Sequence, residues 1–118
     1  MKDGEHIEYY ESGEIECKYW FLDGKKNGEH IGYYSSGLIK YKCNYLDGKL
    51  NGESIYYYES GEISSKSYFI DGNLHGECIF YYESGDIKYK YYHIDGESVT
   101  ELEWLSYNRN LKFKLIGL

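Results

Sequence analysis

The chain has 118 residues, a net charge of −7, 17 Tyr, 14 Gly and no Pro. Its length fits one small domain, and its many aromatic residues argue against a disordered tail, while Gly and Tyr disfavour a helical bundle. The negative charge is repelled by phosphate backbones and anionic headgroups, so we expect no nucleic acid as a partner and consider a membrane surface disfavoured.

One unit of 24 residues recurs four times along the chain. Each copy opens with Gly-Glu-x-Ile-x-Tyr-Tyr, continues with Ser-Gly-x-Ile and closes with Leu/Ile-Asp-Gly. Such a period is the signature of a repeat architecture, whose terminal segments are commonly atypical caps. We therefore divide the chain into a repeat region, 1–99, and a C-terminal cap, 100–118. The units of the repeat region are 4–27, 28–51, 52–75 and 76–99.

Each unit is predicted to be a β-hairpin, because apolar residues within it alternate with a period of two. The first strand is expected near residues 5–10 and the second near 14–22. A three-residue loop, Glu11–Gly13, sets Tyr9 opposite Ile15, whereas a two-residue loop would set Tyr9 opposite Glu16. The longer loop is favoured because it collects apolar residues on one face. That predicted packed face comprises Ile7, Tyr9, Ile15, Cys17, Tyr19 and Phe21 with their counterparts in the other units, and it places Ile7 opposite Cys17.

The opposite face is predicted to carry three columns of side chains. We interpret these columns as a partner-binding surface, because Tyr is enriched at interfaces, although cross-strand stabilisation of the sheet explains the tyrosines equally well. Stacked hairpins give an all-β fold, one elongated and twisted antiparallel sheet of about eight strands. The columns are Tyr10, Tyr34, Tyr58 and Tyr82; Trp20, Tyr68 and Tyr92, interrupted by Asn44; and Lys18, Lys42, Lys66 and Lys90.

The C-terminal segment departs from the repeat. Ser98 with Glu101, and Thr100 with Glu103, have the spacing of a helix-capping box, which predicts a short helix. A final extended segment is expected over Leu111–Ile116. The first strand has no such cap, so we expect an exposed sheet edge there and a homodimer through the first hairpin or along the tyrosine face.

The repeated motifs resemble the variant form of the MORN repeat family. The similarity covers residues 4–96 through Tyr-Tyr-x-x-Gly-x-Ile and the pattern Tyr/Phe-x-Asp-Gly-x-x-x-Gly. It implies an elongated sheet of hairpins. Some similar bacterial arrays are antitoxins of the YwqK type, and other MORN arrays are scaffolds, dimerisation modules or lipid binders. The resemblance does not choose among these roles.

The His, Glu and Cys residues are not expected to form a catalytic or metal site. His6 and His30 lie roughly 9.5 Å apart if they are two strands apart, too far to share a zinc ion. The recurring Glu5, Glu29, Glu53 and Glu77 are expected to bond turn amides or a nearby Lys, since catalytic carboxylates come as unlike pairs. An odd number of Cys, three without CxxC spacing, indicates free thiols rather than a disulfide or zinc site, with Cys17 and Cys43 on the packed face and Cys78 on the other.

These observations favour a non-enzymatic protein-interaction or scaffold module with no catalytic residues, cofactor or metal. Its partner would be another protein or a second copy. The alternatives are a phospholipid-binding module of the membrane surface and a carbohydrate binder that uses the aromatic columns. Free thiols and the absence of a basic-then-apolar leader favour a cytoplasmic location.

Overall fold

The computed structural model describes residues 2–117 and contains one antiparallel sheet of 12 strands followed by a helix. Each unit supplies a six-residue strand, an eight-residue strand and a short strand, which confirms the predicted hairpin array. The long strands follow one another as β1-β2-β4-β5-β7-β8-β10-β11, β12 closes that order, and β3, β6 and β9 pair with β2, β5 and β8. The elements are β1 Gly4–Tyr9, β2 Ile15–Leu22, β3 Lys25–Lys26, β4 Gly28–Tyr33, β5 Ile39–Leu46, β6 Lys49–Leu50, β7 Gly52–Tyr57, β8 Ile63–Ile70, β9 Asn73–Leu74, β10 Gly76–Tyr81, β11 Ile87–Ile94, β12 Glu97–Val99 and α1 Glu101–Leu115.

The loop between β1 and β2 has the predicted three residues. The Gly13 N–H donates to the Tyr10 carbonyl at 3.0 Å, and the Tyr10 N–H donates to the Glu14 carbonyl at 2.8 Å. Gly13 has φ of 102°, a conformation that costs glycine little because it lacks a Cβ. Tyr9 therefore lies opposite Ile15, as the register argument predicts.

A β-bulge follows at once and overturns the rest of the predicted register. Glu16 is an extra residue in β2, so Glu8 pairs with Cys17 and Ile7 pairs with Lys18 rather than with Cys17. A bulge adds one residue to one strand only. Beyond it, the residues of β1 therefore share a face with the residues of β2 that were predicted to lie on the opposite face. The same irregularity lies between Gly32 and Tyr33, Tyr56 and Tyr57, and Phe80 and Tyr81.

The bulge splits the predicted packed face in two. We call the groove face the side that carries Cys17, Tyr19 and Phe21 together with His6 and Glu8, and the lysine face the side that carries Lys18 and Trp20. Ile7, Tyr9 and Ile15 lie on the lysine face, whereas the prediction placed them on the same face as Cys17, Tyr19 and Phe21. Counterparts in the other units divide in the same way. Cys78 pairs with Tyr91 and lies on the groove face with Cys17 and Cys43, which corrects its predicted placement.

The second turn of each unit joins the long strand to the short one through Asp and Gly. In the first unit Asp23 has φ of 52° and Gly24 has φ of 77°, while Leu22 pairs with Lys25. Two successive positive φ values between paired strands define a type I′ turn, which suits the right-handed twist of a hairpin. Asp-Gly turns with the same signs of φ recur at Asp47, Asp71 and Asp95.

Helix α1 begins at the second of the two predicted capping boxes, since Ser98 of the first lies in β12, and it runs further than predicted. The Thr100 hydroxyl accepts from the Glu103 N–H while the Glu103 carboxylate accepts from the Thr100 N–H, a complete capping box. Residues 111–115, predicted to be extended, are helical. Within residues 2–117, no helix has both the length and the apolar character needed to cross a membrane.

The sheet is a single layer with a thin core. The described part of the chain measures 56 × 40 × 21 Å, and no side chain within it falls below 2% exposure. The most buried apolar side chains are Cys17, Tyr19, Cys78 and Tyr92, the first three on the groove face. Burial therefore comes chiefly from neighbouring side chains on that face, together with α1 at the C-terminal end.

Candidate partner-binding site

The predicted binding residues do not share one surface. The Tyr column, Tyr10, Tyr34, Tyr58 and Tyr82, lies on the groove face, where Tyr58 lines a cavity with Ser65 and Tyr89. The other columns lie on the lysine face: Trp20, Tyr68 and Tyr92, with Lys18, Lys42, Lys66 and Lys90. The prediction of one combined surface is thus wrong, and its cause is the bulge.

Three members of the Tyr column connect adjacent units. The Tyr34 hydroxyl donates to the Tyr57 carbonyl at 2.5 Å, and Tyr10 and Tyr58 donate in the same way to the carbonyls of Tyr33 and Tyr81. These side chains are half-buried, whereas Tyr82, in the last unit, is 51% exposed and makes no such bond within the described residues. The column is therefore a ladder of hydrogen bonds between units. Its last member, Tyr82, has no such bond within the described residues.

This difference predicts different costs for two Tyr→Phe substitutions. Tyr58→Phe removes a hydroxyl that bonds to the backbone, so we expect the free energy of unfolding to fall by about 1 kcal/mol. Tyr82→Phe is the matched control and should change stability by only a few tenths. Urea denaturation followed by circular dichroism measures both. Equal losses in the two variants would contradict the ladder.

The lysine face carries ion pairs and exposed aromatic side chains. Lys90 Nζ lies 3.2 Å from Glu77 Oε1, and Lys66 Nζ lies 4.0 Å from Glu53 Oε2, so two of the recurring Glu residues pair with a Lys as expected. The pair with Glu77 raises the pKa of Lys90. Such exposed pairs contribute little stability.

Helix α1 covers one end of this face. Its Trp104 packs against His75 with ring centroids 5.5 Å apart and lies close to Gly76. Tyr92, which belongs to β11, the strand that α1 contacts, is only 9% exposed. Its counterparts Trp20 and Tyr68 are 47% and 48% exposed.

A groove crosses units 2–4 on the groove face. It consists of a cavity of about 550 Å³ in units 3 and 4 and one of about 350 Å³ in units 2 and 3, which share Tyr56, Ser67 and Phe69. Ser54, at 4% exposure, and Cys78, at 8%, are its deepest lining residues. Tyr56 and Phe80 are half-exposed beside them. Small side chains beneath projecting aromatic ones give a concave surface of the size that accepts protein side chains.

The groove differs from the rest of this acidic chain in charge. Its lining residues include no Asp or Glu, whereas Lys88 lies at one end, its Nζ 5.6 Å from the ring centre of Tyr82 and 5.5 Å from that of Tyr89. Burial raises the pKa of Tyr41 to about 12 and also raises the pKa of the Cys78 thiol. These groups are therefore neutral at pH 7 and act as donors or apolar contacts.

The groove was missed by the sequence analysis. Its signal is the replacement of aromatic residues by small ones at equivalent positions: unit 3 has Ser65 where unit 2 has Tyr41, and Ser67 where unit 1 has Tyr19. Within a near-perfect repeat, a large-to-small change on one face indicates a depression in that face.

A polar cluster lies on the same face at the N-terminal end. Glu8 accepts from the Tyr19 hydroxyl at 2.9 Å and from the Cys17 thiol at 3.3 Å. Burial, followed by the bond to Glu8, raises the pKa of Cys17 to about 11, so this thiol is a poor nucleophile at neutral pH. The bond from Tyr19 lowers the pKa of the Glu8 carboxyl.

The cluster continues into the second unit through His30. His30 Nε2 lies 3.2 Å from the Tyr41 hydroxyl and Nδ1 lies 3.5 Å from Lys26 Nζ. Burial lowers the pKa of His30, which favours the neutral ring. Across residues 2–117, no three His, Cys, Asp or Glu side chains converge as metal ligands would.

Comparison with known families agrees with the repeat structure. A family model described as MORN repeat variant matches residues 2–21, 26–47, 50–71 and 74–95. The four matches follow the four units and cover most of the chain. No curated protein sequence gives a significant match.

Proposed function

Because the chain belongs to the MORN repeat variant family, we propose that it is a non-enzymatic interaction module that binds an extended segment of a partner protein in the groove of units 2–4. Proteins built from MORN repeats are generally non-enzymatic repeat modules. The observation that carries the proposal is the continuous groove with aromatic walls and a serine floor.

The chemistry of the groove supports a protein ligand. Tyr supplies large contact area at a small cost in side-chain entropy, and Ser supplies adaptable hydrogen bonds, a combination typical of protein-binding surfaces. Ser54, Ser65 and Ser67 lie between or beside the aromatic side chains of Tyr56, Phe69 and Phe80. Apolar side chains of an extended segment would occupy this space.

Lys88 sets the charge that the partner segment should carry. It lies at one end of the larger cavity, whose other lining residues are uncharged. An acidic group on the segment would meet Lys88 there, in a cavity whose lining residues include no carboxylate. Binding of this kind is compatible with a scaffold and with an antitoxin that covers a toxin. The free thiols favour the cytoplasm as its location.

The alternatives have weaker support. An anionic membrane is repelled by the net charge. A carbohydrate would use exposed aromatic hydroxyls and rings, but the hydroxyls of Tyr10, Tyr34 and Tyr58 already bond to the backbone of the next unit.

Matched aromatic substitutions test the proposal in cells that produce the protein naturally. Tyr56→Ser and Phe80→Ser change the groove, and Tyr68→Ser changes the lysine face at a residue of similar exposure, 48% against 50% and 40%. We expect each groove variant to weaken capture of the partner by roughly tenfold, as loss of an aromatic anchor does, and Tyr68→Ser to leave it unchanged.

Other results would assign the function differently. Loss of the partner with Tyr68→Ser alone would move the site to the lysine face. Flotation with phosphatidylserine vesicles, or retention on immobilised glucans, would support the membrane or the carbohydrate alternative if the groove variants abolished it. Thermal unfolding of each variant confirms that it is folded.

A further inference from the structure

The outer edge of β11 is only partly paired. β12 bonds to the end of β11 at Tyr92, His93 and Ile94. Within the described residues, no strand pairs with the outer side of the preceding stretch, residues 87–91. An open strand edge presents N–H and C=O groups that can accept another strand.

The earlier units show what binds at this stretch. In the third unit, Ser65 pairs with Phe80 and Lys66 pairs with Ile79, both in the first strand of the unit that follows. The equivalent pairs are Tyr41 with Tyr56 and Cys17 with Gly32 in the second and first units. Tyr89 and Lys90 are the corresponding residues of β11. Within the described residues, no further unit supplies a first strand that pairs with them.

Helix α1 does not occupy the vacant position. In units 2–4 the chain enters the first strand through a glycine with φ between 94° and 99°, whereas Thr100 at the equivalent point has φ of −78° and caps a helix. The helix then packs backwards, because Trp104 and Tyr107 both contact His75 of the third unit. The edge is therefore left open beside the cap.

The opposite end of the sheet offers a matching strand. β1 lies at the end of the strand order and has β2 as its long neighbour. It carries Glu5 and Glu8, while β11 carries Lys88 and Lys90. Lys90 already pairs with Glu77, so Lys88 and Glu8 supply the complementary charge of these two edges, which are open within residues 2–117. In addition, β1 has the sequence pattern that each earlier unit binds at this place.

We propose that β1 of a second copy of this chain pairs with the open edge of β11, head to tail. By equivalence with the internal junctions, Tyr89 lies opposite the second copy's Glu8 and Lys90 lies opposite its Ile7. The Tyr82 hydroxyl then donates to the second copy's Tyr9 carbonyl, as Tyr58 does to Tyr81. Lys88 lies diagonal to the second copy's Glu8 on the groove face.

This pairing leaves β1 free on one copy and β11 free on the other. Such a heterologous contact adds further copies until the rotation closes or the chain of molecules ends. The repeat array would thereby continue across molecules, and the second copy's Glu8 would then be the acidic group that meets Lys88 at that end of the groove.

Charge reversal at the junction provides the test. Sedimentation velocity of the unmodified chain should give a mass that rises with concentration above the 14.0 kDa monomer and falls with added salt. Lys88→Glu and Glu8→Lys should each yield monomers, because both place like charges at the junction. Lys40→Glu, at the equivalent position of an internal unit, and Glu29→Lys, on an internal strand, are the matched controls and should still associate.

Mixing the two variants is the decisive experiment. When Lys88→Glu and Glu8→Lys chains alternate, every junction again contains an oppositely charged pair. Association should return in the mixture at a concentration where each variant alone is monomeric, with circular dichroism showing both to be folded. Three results would overturn the proposal: a concentration-independent monomer for the unmodified chain, a mixture that stays monomeric, or Lys88→Glu chains that associate like the unmodified chain.

Discussion

Replacing Gly32 with Ala is expected to lower the free energy of unfolding by about 1–3 kcal/mol, the usual cost of overpacking. Gly32 is buried on the groove face and pairs with Tyr41, whose ring lies across it. A Cβ at residue 32 would lie 2.1 Å from Tyr41 Cε2. Tyr41 would have to move, and its contact with His30 at 3.2 Å would be lost.

A second substitution separates crowding from other causes. Gly32→Tyr with Tyr41→Ser reproduces the pair that unit 3 has at the same place, Tyr56 opposite Ser65. The double variant should therefore be markedly more stable than Gly32→Tyr alone, in a double-mutant cycle measured by urea denaturation. If the two substitutions are simply additive, the ring of Tyr41 is not what requires glycine.

Trp104→Ala is expected to cost about 2 kcal/mol and to release the helix from the sheet. Full burial of a Trp corresponds to about 3–5 kcal/mol on truncation, and Trp104 is only half-buried. Its ring contacts His75 and Tyr107, with centroids 5.5 and 5.7 Å apart. Its removal takes away the anchor of α1, and Tyr92 should become accessible.

Hydrogen exchange measured by mass spectrometry reports on both parts of this prediction. Amides of α1 and of β12 should exchange faster in Trp104→Ala, while those of β1–β5 remain unchanged. Leu102→Ala is the control, since Leu102 is 76% exposed on the same helix and should have no measurable effect on exchange in β12. Unchanged exchange in α1 would show that the helix is held by other contacts.

The repeat and its loop were predictable, but the bulge was not. The Ser-Gly spacing selected a three-residue loop, and the pairing of Tyr9 with Ile15 is confirmed. Register is specified from sequence only where the two faces differ in polarity. Here Trp20 and Tyr19 put aromatic rings on both faces, so a shift of one residue at Glu16 still leaves aromatic residues on each face and has no signature in the alternation.

The length of the helix was missed for a related reason. Leu111, Phe113 and Leu115 alternate as in a strand, which suggested an extended segment. β12 ends at Val99, and the described residues that follow do not pair with any strand. The capping box at Thr100 starts a helix, and the chain up to Leu115 contains no Gly or Pro to end it.

The thinness of the sheet makes this molecule nearly one-dimensional. With one layer, the main strand contacts of each hairpin within residues 2–117 are with the hairpins before and after it, and α1 reaches back to His75 of unit 3. Stability is therefore close to the sum of what each unit and each boundary between units contributes. Damage at one boundary then divides the array into two blocks that melt separately instead of collapsing the whole. Because the units share no common interior, duplication or deletion within the gene can add or remove a unit without requiring changes in the other units.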